Sequence, residues 1–292
     1  MNGRLIAIDA HPLAYRAFFQ PAYAPLKTSK GVSSGVFYGF LTSVLALQRR
    51  FVGSYFVFAF DSGKSWRNDI VSNYKHYGER ARPIDFFSQL EHAKLFLTAV
   101  GYPVLAVSKL EADDILSVIC SEWCSFFSRT AIIVSSDRDF FQLVSDQILV
   151  YDDRQKKFFG PAEVRVSMGV VPEHFLAYKC LLGDVSDNLF GVASYGKVRA
   201  AKAAPSIFPL SEQLSDEDAV IFLRNMELMT LPRRCLDLRI SRRAQAVFEK
   251  TITALFERWT QNKHVQLDPI LAKKLLDMYE CVSLNVLDFL RV

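Results

Sequence analysis

Short, almost unbroken apolar runs alternate with longer amphipathic ones over the first half of the chain. Residues 4–9, 55–60 and 131–135 read as strands covered on both faces, as do 103–107 and QILVYDD after a short helix. Between them the spacing predicts helices over 33–50 with a serine N-cap, over 84–100 and from 111 to about 127. Alternation of this kind predicts an α/β fold with a parallel sheet. After Gly160 the pattern turns mostly helical, with PEHFLAYKCLLG, a turn-rich segment, KVRAAKAA and a helical stretch from about 206. There is no internal repeat and no low-complexity tract.

Carboxylates crowd the ends of these elements. Asp9 and Asp61 close apolar runs, Asp137 and Asp139 follow AIIVSS, Glu111, Asp113 and Asp114 open a helix, and Asp184 and Asp187 lie in the turn-rich segment. A parallel sheet gathers strand ends along its C-terminal edge, where open α/β sheets place their sites. Acids at that density stay ionised only beside a cation, and oxygen donors without Cys or His select a hard ion such as Mg²⁺ or Mn²⁺. Taken singly, each group has a plainer reading. Acids in a first helical turn complement the helix dipole, strand-end aspartates cap helices, and Gly-Asp-Val-Ser-Asp-Asn is ordinary turn composition.

Two segments carry the cations. Residues 62–82 hold Lys64, Arg67, Lys75, Arg80 and Arg82 against Asp69 and Glu79, mixed with Trp66, Tyr74, His76 and Tyr77. Cations track a backbone while aromatics stack on unpaired bases, although a surface loop with incidental aromatics has the same composition. The segment GVASYGKVRAAKAA has Gly191 and Gly196, a helix start at Gly196–Lys197, and Lys197, Arg199 and Lys202 with no acid among them. That suits phosphate binding, or a solvated helix face.

Bulk properties narrow the class only a little. With 292 residues, 50% hydrophobic, the chain can bury one large core, and a net charge of +4 is compatible with a polyanionic partner without requiring one. Five scattered cysteines without a CxxC pair read as buried thiols in a reducing compartment. The N-terminus runs straight into a strand and no apolar stretch has the length of a membrane span, so a cytoplasmic protein with no membrane contact is expected.

The strings IDAHPLAYRAFF, FAFDSGKSWR, NYKHYGERAR, EADDIL, SSDRDFFQLV and GDVSDNLFGVASYGKVRAAK, in that order over residues 4–202, resemble the 5′ nuclease superfamily. That superfamily comprises the 5′-3′ exonuclease domain of bacterial DNA polymerase I, stand-alone phage 5′ exonucleases and flap endonucleases. FLRNMELMTLP at 222–232 is similar to the C-terminal portion of the phage members. The resemblance implies a mainly parallel central sheet flanked by helices (a PIN-like 5′ nuclease fold), formed by residues 1–160 with a helical arch inserted at about 62–82. A helical DNA-binding region, 161–292, would carry a helix-three-turn-helix at about 179–204. With no polymerase sequence after residue 292, the stand-alone type is expected.

The resemblance further implies a site of two Mg²⁺ (or Mn²⁺) ions. Asp9, Asp61, Glu111, Asp113 and Asp114 match the first-metal cluster, and Asp137, Asp139, Asp184 and Asp187 match positions serving the second. Lys75 matches a catalytic lysine and Arg80 or Arg82 its neighbouring arginine. Arg16, Lys64, Arg67, Tyr74, Lys179, Gly191, Gly196, Lys197, Arg199 and Lys202 fall among DNA-binding positions, with a K⁺ ion at the turn motif. One departure stands out: the usual glycine at 194 is Ser194. The expected activity is Mg²⁺-dependent 5′-3′ exonuclease and flap endonuclease action by a monomer on 5′ flaps, nicks, free 5′ ends and RNA-DNA primers. Two alternatives remain at this point, a non-catalytic branched-DNA binder and a PIN-type ribonuclease.

Overall fold

The computed structural model describes residues 3–75 and 84–261. Strand β1 (Leu5–Asp9) runs directly into α1 (Ala10–Phe18), followed by α2 (Gly35–Arg50), β2 (Tyr55–Ala59), the single turn α3 (Arg67–Ile70) and α4 (Ile84–Val100). Next come β3 (Val104–Leu105), α5 (Ala112–Phe127), β4 (Ala131–Val134), β5 (Ile148–Asp152) and β6 (Lys157–Phe159). Beyond the sheet lie α6 (Pro161–Met168), α7 (Pro172–Leu182), β7 (Gly183–Asp184), β8 (Leu189–Phe190), α8 (Lys197–Ala203), α9 (Leu210–Gln213), α10 (Asp216–Met229) and α11 (Arg242–Thr260).

The sheet has the order β3-β2-β1-β4-β5-β6 and is parallel except for β6, which pairs antiparallel with β5 at one edge. Its strands divide their side chains by parity between two cores, as the two-residue period of a strand requires. Leu5, Ala7, Tyr55, Val57, Ala131 and Ile133 face the layer of α5, α7, α10 and α11. Ile6, Ile8, Phe56, Phe58, Ile132 and Val134 face α1, α2 and α4. Both faces are covered, which is why these strands read as continuous apolar runs and not as alternating ones. In register, Asp9 lies opposite Ala59 and Ile8 opposite Val134, so β1, β2 and β4 deliver their following residues to one edge.

Two local expectations are revised. Ser34 does sit at the start of α2, but its hydroxyl caps nothing; Oε1 of Gln89, from α4, accepts the N–H groups of Val36 and Phe37 at 2.8 and 3.2 Å. A long-range amide thus does the capping that a local serine was expected to do. The antiparallel β6 was hidden within the polar KKFF stretch, too short to show a period.

Candidate active site at the carboxyl edge of the sheet

The shared edge assembles the acids. Two groups of three carboxylates, Glu111 with Asp113 and Asp114, and Asp139 with Asp184 and Asp187, each bring their oxygens within 4.8 Å of one another. Asp9 accepts a 3.0 Å hydrogen bond from Ser135, and Asp61 accepts the Ala112 N–H at 2.8 Å, tying β2 to the start of α5. Asp137 caps the 3₁₀ turn Arg138–Leu143 by accepting the Asp139 N–H. The Tyr74 hydroxyl reaches both groups, at 3.2 Å from Glu111 and 3.2 Å from Asp187. Lys75 pairs with Glu111, and Lys179 pairs with Asp139 and, at 2.8 Å, with Asp184.

Two ammonium groups do not neutralise this density of charge. Burial, then the charges of Asp61 and Asp137, pushes Asp9 well above the ordinary range, and burial followed by Asp114 does the same to Asp113. Asp137 is exposed as a residue, yet burial of its carboxyl among its neighbours, followed by the Asp139 charge, pushes it up to about 6. Asp187 also reaches about 6, through burial and then Asp184 and Asp139, against the pull of Lys75. Burial would raise Glu111 as well, but Lys75 and Arg67 outweigh it and hold it low. Carboxylates forced to keep protons, with oxygen donors only in both groups, fit a hard divalent cation.

A pH dependence follows. Asp137 and Asp187 have folded pKa values of about 6 against an ordinary 3.8, so the folded form binds more protons than the unfolded one. In chelator the melting temperature should therefore rise as pH falls from about 7 through about 6. The gain reverses once Asp184 and Glu111, held below their ordinary values, take up protons. A melting temperature that only falls across that interval would refute the crowding of these acids.

Several sequence expectations are corrected by burial. Arg67, expected to contact DNA, is 1% exposed and donates to Glu111 (2.7 Å), to both oxygens of Asp114 (2.9 and 2.8 Å) and to the Leu228 carbonyl (2.6 Å). Asp114 is fully buried and saturated by that guanidinium and by the Trp66 indole N–H at 3.2 Å, so its oxygens are the least free of the nine acids to meet an ion. Trp66 and Tyr74 are buried within the core and acid cluster, where neither can stack on bases. Lys179 is enclosed by the second acid group instead of lying on an outer surface.

Gly191 is a packing glycine: a Cβ there would meet the Leu182 carbonyl at 2.2 Å, in the hairpin of β7 and β8. Gly196 has ordinary extended backbone before α8, and the left-handed conformation falls on Ser194, at φ 65°, which costs about 1 kcal/mol relative to glycine. Lys64, Lys197, Arg199 and Lys202 are exposed. Arg16 donates to Asp153 and, at 2.7 Å, to Ser43. Arg80 and Arg82 lie outside the described residues. Sequence reasoning passed over Ser135 and also His11, whose Nδ1 stands 3.4 Å from Asp61. Only the proximity of His11 to Asp9 in sequence could have signalled it.

The fold and these acid groups define an α/β domain equipped to hold metal ions at the end of its sheet. The chain belongs to the 5′-3′ exonuclease family, and so to the nuclease class of hydrolases: the family's N-terminal, resolvase-like domain matches residues 4–169. Thermostable DNA polymerase I of Thermus thermophilus is 33% identical over 220 residues, which is 75% of this chain and 26% of that protein. DNA polymerase I of Deinococcus radiodurans is 32% identical over 200 residues, 68% of this chain and 20% of that protein. The chain thus spans about a quarter of the length of the curated relatives it matches. Among solved structures, a bacteriophage T5 flap endonuclease complex with DNA and metal ions has the same fold, with a TM-score of 0.74 at 20% identity over 87% of this chain and 99% of that one. Flap endonuclease-1 of Methanococcus jannaschii matches at a TM-score of 0.54, 15% identity, over 80% and 79% of the two chains.

Proposed function

We propose that the chain hydrolyses phosphodiester bonds at 5′ flaps, nicks and free 5′ ends of DNA, and in RNA-DNA primers, using two Mg²⁺ or Mn²⁺ ions. The observation that carries this reading is the pair of carboxylate groups on one sheet edge, with Asp9, Asp61 and Asp137 in the same electrostatic cluster. Glu111, Asp113, Asp9 and Asp61 are the residues assigned to one ion, and Asp137, Asp139, Asp184 and Asp187 those assigned to the other. Bound there, divalent ions would supply Lewis-acid charge and an activated water. In this reading residues 1–160 are the nuclease core, with its arch at 62–82. Residues 161–292 grip the duplex, with K⁺ at the turn motif, in a monomeric protein of the cytoplasm. A labelled 5′-flap duplex incubated with and without Mg²⁺ tests it; absence of metal-dependent cleavage refutes it.

The protein's own groups have separable tasks. Lys75, half-buried against Glu111, presents a cation at the solvent-facing side of the first acid group, and Glu111, Tyr74 and Asp113 outweigh burial to keep it charged. Tyr74 keeps its proton, because burial and Glu111 raise it, and so donates to the carboxylates it bridges. Lys75→Ala should slow single-turnover cleavage by about 10²-fold with little change in duplex affinity, since a cation acting where charge develops appears in the rate. Loss of affinity at an unchanged rate would make Lys75 a backbone contact only.

Lys197 and Lys202 are exposed on α8, and Arg199 stacks 4.4 Å from the Tyr195 ring centroid. Replacing Lys197 and Lys202 with Ala should weaken duplex binding equally across sequences and flatten the slope of log affinity against log salt by about one unit for each phosphate no longer neutralised. Cleavage of short single strands should be spared. An unchanged salt slope would return α8 to a merely solvated helix.

A further inference from the structure

A second run of cations lies outside the acid groups. Arg233, Arg234, Arg239, Arg242 and Arg243 fall within residues 233–243, where Asp237 is the only acid, and all five are exposed. Folding aligns them with the foot of the 62–82 segment. The Arg239 guanidinium lies 5.6 Å from the Trp66 ring centroid, and the Trp66 backbone N–H donates to the Lys109 carbonyl at 2.9 Å. Arg243 shares a groove with Val104–Ser108, the residues just before Lys109. At the other end Arg233 donates to the Gln142 carbonyl at 2.8 Å, in the turn that begins at Asp137. The strip therefore runs from the Asp137–Leu143 turn, past the root of the insert, to the β3 edge of the sheet.

Arg234 pairs with Asp237 at 3.3 Å and Arg239 with Glu227 at 3.0 Å, but stability does not explain Arg242 and Arg243. Arg242 and Arg243 occupy the first turn of α11, which contains no acid, and positive charge there opposes the helix dipole. Among the described residues neither forms a hydrogen bond or an ion pair. Between Trp66 and Arg239 opens a cavity of about 480 Å³, lined by Leu223, Met226, Leu231 and Pro232 together with Arg233 and the acids Asp114, Glu227 and Asp237. Leu223 is 51% exposed. Guanidinium groups match phosphate geometry, and an apolar wall beside them is the complement of unpaired bases, whereas a duplex would present only backbone.

We propose that this strip binds an unpaired nucleic-acid strand, with phosphates on Arg239, Arg242 and Arg243 and bases against the exposed Leu223 wall of the cavity. The proposal rests on the nuclease reading only in identifying that strand as the single-stranded 5′ segment of the substrate. An acidic protein segment would be served by the charges but has no use for the hollow, and the strip's continuity with the Asp137–Leu143 turn favours the substrate.

The test is equilibrium binding in chelator, so that inactivity of the wild-type enzyme would sink the nuclease reading while leaving this one measurable. The triple variant Arg239→Gln, Arg242→Gln, Arg243→Gln is compared with wild type on a duplex carrying a long 5′ flap and on the same duplex without it. Affinity for the flapped duplex should fall about tenfold or more, with the salt slope flatter by about 0.7 for each phosphate that the variant no longer neutralises, while the unflapped duplex changes by less than about twofold. Leu223→Asp, at an exposed position, should also weaken only the flapped complex. Equal losses on both duplexes, no loss on either, or lost binding of polyglutamate with DNA binding intact would each overturn the assignment.

Discussion

Asp113→Asn and Asp137→Asn should each reduce cleavage by about 10²-fold or more under saturating Mg²⁺, while leaving flap-DNA affinity nearly unchanged. Each substitution removes one carboxylate charge from the acids proposed to hold the ions and leaves the exposed cations of α8 in place. The same variants should melt at higher temperature than wild type in chelator. Asp113 is pushed up by burial and by Asp114, and Asp137 by crowding and by Asp139, so an uncharged amide relieves repulsion that the native carboxylate bears. Activity lost together with stability gained is the signature of residues kept for function. Wild-type rates in either variant would remove that residue from the metal site, and a lower melting temperature would show that its charge is already compensated within the protein.

What the sequence made legible follows from what each residue reports locally. The apolar runs marked β1, β2, β4 and β5 because both sheet faces are covered, and strand-end acids marked the site because parallel register aligns strand ends. Charge type, however, does not reveal burial. Arg67, Trp66 and Tyr74 read as a DNA-facing surface because their segment is polar and basic, yet the chain folds all three inward to serve the acids. Lys179 reads as a DNA contact by resemblance alone; its partners Asp139 and Asp184 are distant or ambiguous in sequence and adjacent only after α7 and β7 form. Capping of α2 by Gln89 was equally invisible, since it joins residues more than fifty positions apart. At 194 the sequence did pose the right question, and the left-handed backbone there falls on a serine.

Arg67→Ala should destabilise the fold by about 3–5 kcal/mol, the largest stability loss expected of any single exposed-looking cation in this sequence. Four donated hydrogen bonds disappear with the side chain: two to Asp114, one to Glu111 and one to the Leu228 carbonyl at the end of α10. Asp114, with no exposed surface, would then keep a charge opposed only by the Trp66 indole and the Glu111 N–H, or take up a proton. Either course costs far more than losing a surface ion pair. Arg67→Lys should recover part of the loss, since an ammonium restores the charge but cannot donate to both Asp114 oxygens, to Glu111 and to Leu228 at once. Coupling Arg67→Met with Asp114→Leu should recover more stability than lysine does, because an apolar pair leaves no buried charge uncompensated. Cleavage should nevertheless stay impaired in that double variant and require more Mg²⁺, because Glu111 has lost the guanidinium that fixes one of its oxygens. Urea unfolding and Mg²⁺ titration of the rate measure the two effects separately. A loss below about 1 kcal/mol in Arg67→Ala would mean that solvent reaches Asp114 and that the pair is a surface contact.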